Sequence, residues 1–499
     1  MNTKKLLSFS AGTLLTIGIV IAVNIAAAPL TLRLDLTNDR TFSLSEPTKE
    51  LLSSLDDTVQ IKAYMTNDLP SETMDVKQYI ESMLREYKAY GHSKIQIDFI
   101  DPTTPEKEGE AQEAGLFPLQ FNKMENDSFV AKKGYLGLAM RYGSKKEVIP
   151  QLTKTEGLEY DLTSSLQKLT AKTIPTITVV GGLGTPDMAF DQSKQKTIER
   201  LVTMLKKTYT VTSWDASGTA PFPENSSAIM ITGITSDFSE ATVATLQKQI
   251  DKGTHLFIAQ NYIEIDSSKG ISAKELKLPV FEKFLKDNGM SISKGLVADE
   301  SNQRITVSSQ QGMFTMQQLV QFPLFPIMKD ALNTPISESI SPLSLPFVTE
   351  VTFEPKNEKD MVFAQSSAQS SLYTQTTFPI TTPAAFFTGT KQKYTLGIAR
   401  EKGTSRQVLL GSSECLLDQM RNDSCVNIIL NSIDWTMKDA RLIAVRTKGF
   451  KTYLLKNTSN EDKMFLRGMI LSIPSLIVIC GGLIYAYRRS RKASKSYLK

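Results

Sequence analysis

The residues best suited to chemistry lie in two short loops, each following an apolar run. The first is TVVGGLGTPD at 178–187, and the second is GSSECLL at 411–417. A glycine-rich turn after a strand can bind phosphate, and a serine in a sharp turn can act as a nucleophile. In open α/β sheets, ligands bind at the carboxyl ends of the strands, where both loops are expected. The candidate ligand or partner contacts are Gly182, Gly184, Asp187, Ser412 and Glu414.

Neither loop carries the partners that a known chemistry needs. Gly184 is followed by Thr-Pro-Asp, so the third glycine of a dinucleotide loop is missing, as is the Gly-Lys-Ser/Thr of a Walker A loop. A nucleophile elbow would need Ser or Cys at Leu183 and a histidine base. Of the two histidines, His92 and His255, the latter begins a predicted strand and so lies at the wrong end of the sheet. We therefore predict no catalytic residue, and favour a tight turn over a non-catalytic ligand pocket.

The three cysteines, Cys415, Cys425 and Cys480, form no CxxC pair, which excludes a zinc knuckle and a dithiol redox site. Cys415 and Cys425 could pair in an oxidising compartment, but we favour small core residues. We predict neither a metal nor a cofactor. The two ends account for +8 charges of a net +5, leaving the interior at about −3. This balance argues against a nucleic-acid partner.

Both ends of the chain contain long uncharged runs, at 6–32 and 468–487. Each is long enough to cross a bilayer, so the sequence predicts two transmembrane helices. A cleaved signal peptide is the alternative for the first run, and Gly481 and Gly482 offer a small face for helix packing in the second. Lysines in 1–5 and the basic tail 488–499 predict that both termini are cytoplasmic. The expected location is the plasma membrane, in contact with lipid, with most of the chain outside the cytoplasm.

The fold class expected between these runs is α/β, in two domains. Residues 33–158 show a β-α-β-α-β-β order typical of a thioredoxin-like layer, but the loop TNDLP lacks a redox cysteine. Residues 159–440 alternate apolar strands with amphipathic helices, which predicts a doubly wound parallel sheet. The proline-rich part at about 290–390 is expected to be loop-rich or an inserted subdomain. Residues 441–467 are polar and predict a stalk.

Several stretches of this sequence resemble the auxiliary component of ABC transporters in the GldG (gliding-motility-associated) family. They are RLDLTNDRTFSLSEPTKELLSSL, YDLTSSLQKLT, AIMITGITSDFSEATVATLQKQIDKGTHLFIA, VLLGSSECLLDQMRNDSCVNIILNSIDW, and the final apolar run with RRSR. That family commonly reads Gly-His-Gly-Glu in the first loop, whereas this chain has Leu183 and Thr185 at the His and Glu positions. Its α/β domain is similar to glutamine-amidotransferase-like sheets.

The resemblance implies a non-enzymatic, membrane-anchored subunit that binds substrate or docks partners beside an ABC permease and a separate ATPase. Two alternatives stay open at this point. One is an extracytoplasmic hydrolase- or amidotransferase-like enzyme, which requires His92 or His255 within reach of Ser412, Cys415 or Cys425. The other is an envelope ligand-binding protein independent of a transporter, which requires a well-formed pocket near Gly182 and Ser412.

Overall fold

A computed structural model describes residues 43–448, except 126–127, 191–195, 267–271, 312–313, 330–331, 338–339, 341, 355–357, 359, 381 and 439. It also describes the isolated helical positions 18, 22, 464, 467, 468, 472, 479 and 481. The chain forms two compact units, Met1–Phe450 and Lys451–Lys499. The second unit is described only at the last six of those positions, so the structure below is that of the first.

The predicted membrane runs 6–32 and 468–487 lie almost wholly outside the described residues, as do Gly482 and the tail 488–499. Among the residues that are described, no helix is both long and apolar enough to cross a membrane. This finding contradicts the predicted two-pass location at the plasma membrane.

The N-terminal part is a four-stranded mixed sheet with helices on both faces. Its elements are α1 (Glu46–Ser53), β1 (Val59–Met65), α2 (Ser71–Gly91), β2 (Ile95–Ile100), α3 (Pro105–Glu113), β3 (Leu119–Glu125), β4 (Ser128–Gly134), β5 (Leu136–Tyr142), β6 (Lys145–Ile149) and α4 (Leu158–Thr170). The sheet order is β2-β1-β5-β6, with β1 and β2 parallel and the remaining pairs antiparallel. The alternating residues Val59, Ile61 and Ala63 face a buried core that α2 and α4 complete. The short helix α3 covers part of the other face.

The remaining elements follow in chain order. They are β7 (Thr176–Gly181), α5 (Glu199–Lys206), β8 (Thr210–Asp215), β9 (Ser226–Thr232), α6 (Glu240–Asp251), β10 (His255–Ala259), β11 (Ile263–Asp266), β12 (Ser272–Glu275), α7 (Pro279–Asp287), β13 (Met290–Asp299), β14 (Asn302–Gln311), β15 (Phe314–Met328), β16 (Leu343–Ser344), β17 (Thr349–Phe353), β18 (Met361–Gln365), β19 (Ser370–Tyr373), β20 (Thr395–Lys402), β21 (Ser405–Leu410), α8 (Asp423–Thr436) and α9 (Ala440–Lys448).

The central sheet has the order β18-β20-β21-β10-β9-β7-β8. Strands β21, β10, β9, β7 and β8 are mutually parallel, whereas β20 is antiparallel to both of its neighbours. Helices α5 and α8 pack on one face and α6 and α7 on the other, so apolar side chains of the parallel strands are buried on both sides. The α/β class is therefore confirmed, but the sheet is mixed and not wholly parallel.

Two regions differ from part of their sequence-based predictions: 290–390 is not loop-rich, while its description as an inserted subdomain stays a prediction, and a helix occupies the start of the predicted stalk. The segment at about 290–390 is rich in strands, including the 15-residue β15, because its aromatic residues form a core of their own around Phe322, Phe347 and Phe386. Helix α9 lies where a polar stalk is predicted to begin, and Leu442 and Val445 in it are buried. The rest of the predicted stalk is outside the described residues, apart from positions 464 and 467. The predicted division at 158/159 stays a prediction.

Candidate functional site

The glycine-rich loop after β7 is a tight turn in left-handed conformation. Three successive residues have positive φ: Gly182 (71°), Leu183 (53°) and Gly184 (72°). A side chain at Gly184 would collide with Thr235 Oγ1. Glycine is required here because it adopts this conformation without a Cβ clash. The glycine pattern is therefore explained by backbone geometry, without invoking a phosphate ligand.

Leu183 holds this turn against the loop that follows β9. Its carbonyl accepts hydrogen bonds from the Thr235 and Ser236 backbone N–H groups at 2.9 and 3.0 Å. Its half-buried side chain packs on the core under α6 and α7. Further on, the Asp187 backbone pairs with 196–198, donating to the Lys196 carbonyl at 3.0 Å. The position that holds histidine in the resembling family thus carries an apolar anchor here.

The second loop, after β21, uses its polar groups for structure. Ser412 is fully buried and donates to the Pro346 carbonyl at 2.6 Å, and Ser413 donates to Asn261 Oδ1 at 2.8 Å. Glu414 lies 3.6 Å from Lys196 Nζ, with its side chain only 8% exposed. Burial raises the pKa of Glu414, and the nearby Lys196 opposes that shift. No hydroxyl of this loop is presented as a nucleophile.

Asp418 extends the same loop to the start of helix α5. Its carboxylate accepts the backbone N–H groups of Glu199 and Arg200 at 2.8 and 3.1 Å. The first turn of a helix has unpaired N–H groups, and a carboxylate placed there satisfies them and favours the helix dipole. The second loop is therefore joined to the start of α5 by a helix cap. Sequence reasoning missed this role because the two partners are more than 200 residues apart.

The two loops meet at a small cavity beyond the carboxyl ends of β9, β10 and β21. Pro186, Lys196, Ser413 and Glu414 contribute to its wall, together with Gln260. Its volume is about 10 Å³, which is room for roughly one water molecule. Gln260 is fully engaged, since its amide donates to the Ile234 carbonyl at 3.0 Å and accepts from the Ile234 N–H at 2.8 Å. Of the five candidate residues, only Glu414 lines this cavity, beside the loop neighbours Pro186 and Ser413, and the space there is nearly filled.

Neither histidine is positioned as a base for these loops. His255 Nδ1 accepts the Arg406 N–H at 3.0 Å, at the amino end of β21. Ser412 lies six residues farther along the chain, or about 20 Å at the rise of a strand. Burial chiefly, with Lys438 and Arg406 nearby, lowers the pKa of His255 to about 4. His92 lies beyond α2 in the N-terminal part and makes no hydrogen bond to Ser412.

Cys415 and Cys425 form a disulfide that links the second loop to the first turn of α8, with a Cα–Cα distance of 5.9 Å. The preference for unpaired core cysteines is therefore wrong, although both residues are buried as expected. A disulfide-bonded sulfur is not a thiolate nucleophile, so the requirement of the enzyme alternative is not met at either cysteine. Across the described residues, no group of three or more His, Cys, Asp or Glu is arranged to hold a metal ion.

A buried ionic network, which the sequence did not predict, surrounds Arg446 of α9. The Arg446 side chain is 1% exposed and donates to Asn431 Oδ1 (2.6 Å), Tyr160 OH (3.0 Å) and Asp434 Oδ2 (2.7 Å). Tyr209 OH donates to the other Asp434 oxygen at 2.6 Å. The pKa of Arg446 is raised: its burial opposes the charged form, and the Asp434 carboxylate and Tyr160 outweigh that opposition. The Asn-Ser-Ile-Asp-Trp motif at 431–435 therefore anchors α9.

Adjacent residues of α4 contact both ends of the described segment 43–448. Tyr160 contacts Arg446, and the preceding Glu159 accepts hydrogen bonds from the Ser45 N–H (2.6 Å) and the Thr48 hydroxyl (2.9 Å) at the start of α1. The next residue, Asp161, pairs with Lys207 at 2.6 Å, at the end of α5. The motifs SLSEPT and EYDLTSSL are thus parts of one structural junction. The spacing alone gave no signal for it, because the partners are distant in sequence.

These features define a mixed α/β protein whose polar loops at the strand ends serve the fold. Residues 174–418 match the family described as "ABC-type uncharacterized transport system", and residues 38–141 match a domain of unknown function, DUF7088. The larger match supports an auxiliary component of an ABC-type transport system. Assignment to the GldG family in particular is not confirmed.

Comparison with individual proteins adds little about activity. An uncharacterized protein of Borreliella burgdorferi (strain ATCC 35210 / DSM 4680 / CIP 102532 / B31) is 21% identical over 498 residues, covering 93% of this chain and 94% of that protein. Among solved structures, the mmIFT52 N-terminal domain aligns with 52% of this chain and 97% of its own, at 14% identity and a TM-score of 0.34. A putative ThuA-like protein from Parabacteroides merdae aligns with 53% of this chain and 90% of its own, at 10% identity and a TM-score of 0.28. These scores are too low to carry an argument.

Proposed function

We propose that this protein is a non-enzymatic auxiliary subunit of an ABC-type transport complex and that its task is to dock other components. The observation that carries the proposal is the family match over 174–418. The filled cavity between the two loops favours docking over substrate binding, because about 10 Å³ cannot hold a small-molecule ligand. The same observation disfavours a ligand-binding site between these two loops.

The partners we propose are an ABC permease and a separate ATPase. This chain carries no Walker A sequence, so ATP hydrolysis must come from another polypeptide. The N-terminal sheet would add a second docking module. Its β2-β1-β5-β6 order, with α2 and α4 on one face and α3 on the other, supports the thioredoxin-like interpretation without redox chemistry.

The β14–β15 ribbon is the docking element that we favour for such a partner. The paired strands run from Arg304↔Gln321 to Gln311↔Phe314, and residues 305–328 contain no charged side chain. Leu319 is 59% exposed, and Ile305 and Val320, which face each other, are only half-buried. A two-stranded ribbon is marginally stable by itself, and contact with an uncharged partner surface would bury it.

Co-purification tests the proposal. The full-length protein, tagged and expressed at its natural level, should recover an ABC permease and an ATPase after crosslinking. Leu319→Asp should reduce the recovery of both components. The control must be an exposed residue; Leu372, for example, packs against the main core, so Leu372→Asp would disturb the fold itself. Phe190→Asp is the matched control, because Phe190 is also apolar and exposed (65%) but lies outside the ribbon. Recovery without either ABC component would contradict the proposed function.

A further inference from the structure

The outer face of the N-terminal sheet is only half covered. Helix α3 and the segment after it pack over Tyr64, Ala139 and Val148 through a small core that includes Ala111 and Leu116. With nine residues, α3 is too short to reach the other end of the face. A cleft of about 240 Å³ lies where this cover stops.

One row of side chains crosses the uncovered part of this face. Its backbone register is Gln96↔Gln60 between β2 and β1, Gln60↔Arg141 between β1 and β5, and Arg141↔Lys146 between β5 and β6. The row therefore contains two amides and two cations, and no carboxylate. We call these four residues the basic row. Gln60, Arg141 and Lys146 line the cleft.

The neighbouring cation is already neutralised. Lys62 Nζ lies 2.6 Å from Glu110 Oε1, and Tyr64 OH donates to the same oxygen at 3.0 Å. The hydrogen bond from Lys62, followed by that from Tyr64, lowers the pKa of Glu110. The Glu110 carboxylate is therefore paired with Lys62 and Tyr64, and it does not neutralise the cations of the basic row.

Arg141 and Lys146 lack an equivalent carboxylate. Directly opposed residues of an antiparallel pair have Cβ atoms about 5 Å apart, and like charges at such positions destabilise the pair. Lys146 Nζ makes a long hydrogen bond, 3.4 Å, to the Glu113 backbone carbonyl. Glu113 is the one other acidic residue that lines the cleft, and no ion pair within 4.0 Å joins its carboxylate to Lys146. An anion placed between Arg141 and Lys146 would remove their repulsion.

We propose that this cleft binds a phosphate group. The Arg141 guanidinium would supply two parallel N–H donors, Lys146 a point charge, and Gln60 a neutral amide donor. The cleft is larger than one phosphate, so a small phosphate ester fits as well as the free ion. This site does not depend on docking through the β14–β15 ribbon, and it lies on the N-terminal sheet, away from the loops at 182–187 and 411–417.

Isothermal titration of the full chain at low ionic strength tests this assignment, with inorganic phosphate in one arm and glycerol phosphate in the other. We expect saturable one-site binding that weakens with added NaCl. Arg141→Gln and Lys146→Gln should each raise the Kd about tenfold or more, since a charge-assisted contact is lost. Tighter binding of glycerol phosphate would identify an ester as the ligand, and tighter binding of inorganic phosphate would identify the free ion. Equal binding would show that the site recognises the phosphate group alone.

Arg85→Gln is the matched control, because Arg85 lies on α2, on the opposite face, with its side chain 62% exposed. This variant should leave the Kd within about twofold of the unmodified chain. Circular dichroism verifies that each variant is folded, and Arg141→Lys should retain part of the affinity by keeping the charge. We expect a Kd of about 1 mM, so absence of saturation up to about 50 mM phosphate overturns the assignment. An equal loss of phosphate affinity in Arg141→Gln and Arg85→Gln also overturns the assignment, because it would show a non-specific effect of the net charge.

Discussion

Removing one member of the Arg446–Asp434 pair should destabilise the compact unit far more than removing an exposed ion pair. Both side chains are 1% exposed, and their closest atoms are 2.7 Å apart. Arg446→Met would leave the Asp434 carboxylate buried with the Tyr209 hydroxyl as a remaining donor. Asp434→Asn would leave the buried Arg446 guanidinium with a neutral amide in place of its carboxylate partner. Breaking a buried pair in this way costs about 3–5 kcal/mol, because the uncompensated charge remains out of water.

The double variant Arg446→Met/Asp434→Leu should be less destabilised than either single variant. Replacing both charges with apolar groups of similar size removes the buried charge, and such replacements are often close to neutral. The coupling between the two positions is then the difference that a double-mutant cycle measures. Arg85→Met is the control, since its exposed i,i+4 pair with Glu81 is worth about 0.5 kcal/mol or less.

Urea unfolding followed by tryptophan fluorescence provides the assay. The chain has two tryptophans, Trp214 and Trp435, and Trp435 is adjacent to Asp434. With a slope of about 3 kcal/mol per molar urea, the single variants should lower the midpoint by about 1–2 M. A midpoint in Arg446→Met that falls no further than in Arg85→Met would refute the assignment of this network as a structural anchor.

Three further predictions concern glycine turns, the disulfide and the half-buried imidazole of His255. Gly184→Ala should lower the free energy of unfolding by more than the roughly 1–2 kcal/mol that left-handed strain costs. Gly143→Ala should lower it by that strain alone, because the φ of Gly143 is 57° and its surroundings are open. Thermal melts of the two variants check this difference. Replacing both Cys415 and Cys425 with Ser should cost about 3 kcal/mol for a loop of this length, and a reducing agent should lower the midpoint of the unmodified chain only. NMR should show His255 titrating near pH 4. Because its pKa is lower in the folded than in the unfolded chain, its contribution to the free energy of unfolding is complete above about pH 6.5 and is lost as the pH falls toward 4. In His255→Gln the free energy of unfolding should therefore vary less with pH across that window. A His255 pKa near 6.5 would contradict this.

The alternation of strands and amphipathic helices was sufficient to predict the α/β class, because apolar periodicity reports directly on burial. Helix α2, for example, is predicted at 74–90 and lies at Ser71–Gly91. The region of 290–390 could not be predicted in the same way. Its prolines indicate loops, but Pro323 and Pro326 lie within β15. There the aromatic core formed with distant rings, such as that of Phe386, outweighs the local preference.

The candidate loops illustrate what local sequence cannot supply. The glycines at 182 and 184 predict a tight turn, and the structure has one. However, the partners of Ser412, Ser413 and Asp418 come from segments between about 65 and 220 residues away. No short-range pattern encodes such pairings, so hydroxyls that serve the fold look like candidate nucleophiles. For the same reason, burial of Arg446 could not be predicted from the residues around it.

Quantitative affinity purification of the full-length chain tests the transport-associated role most directly. The protein would be crosslinked in cells at its natural abundance, purified under stringent washing, and its partners quantified by mass spectrometry against an untagged strain. The proposed role predicts that an ABC permease and an ABC ATPase are enriched together, in a fixed ratio to this protein. Efficient recovery of this protein with neither of them enriched would contradict the role.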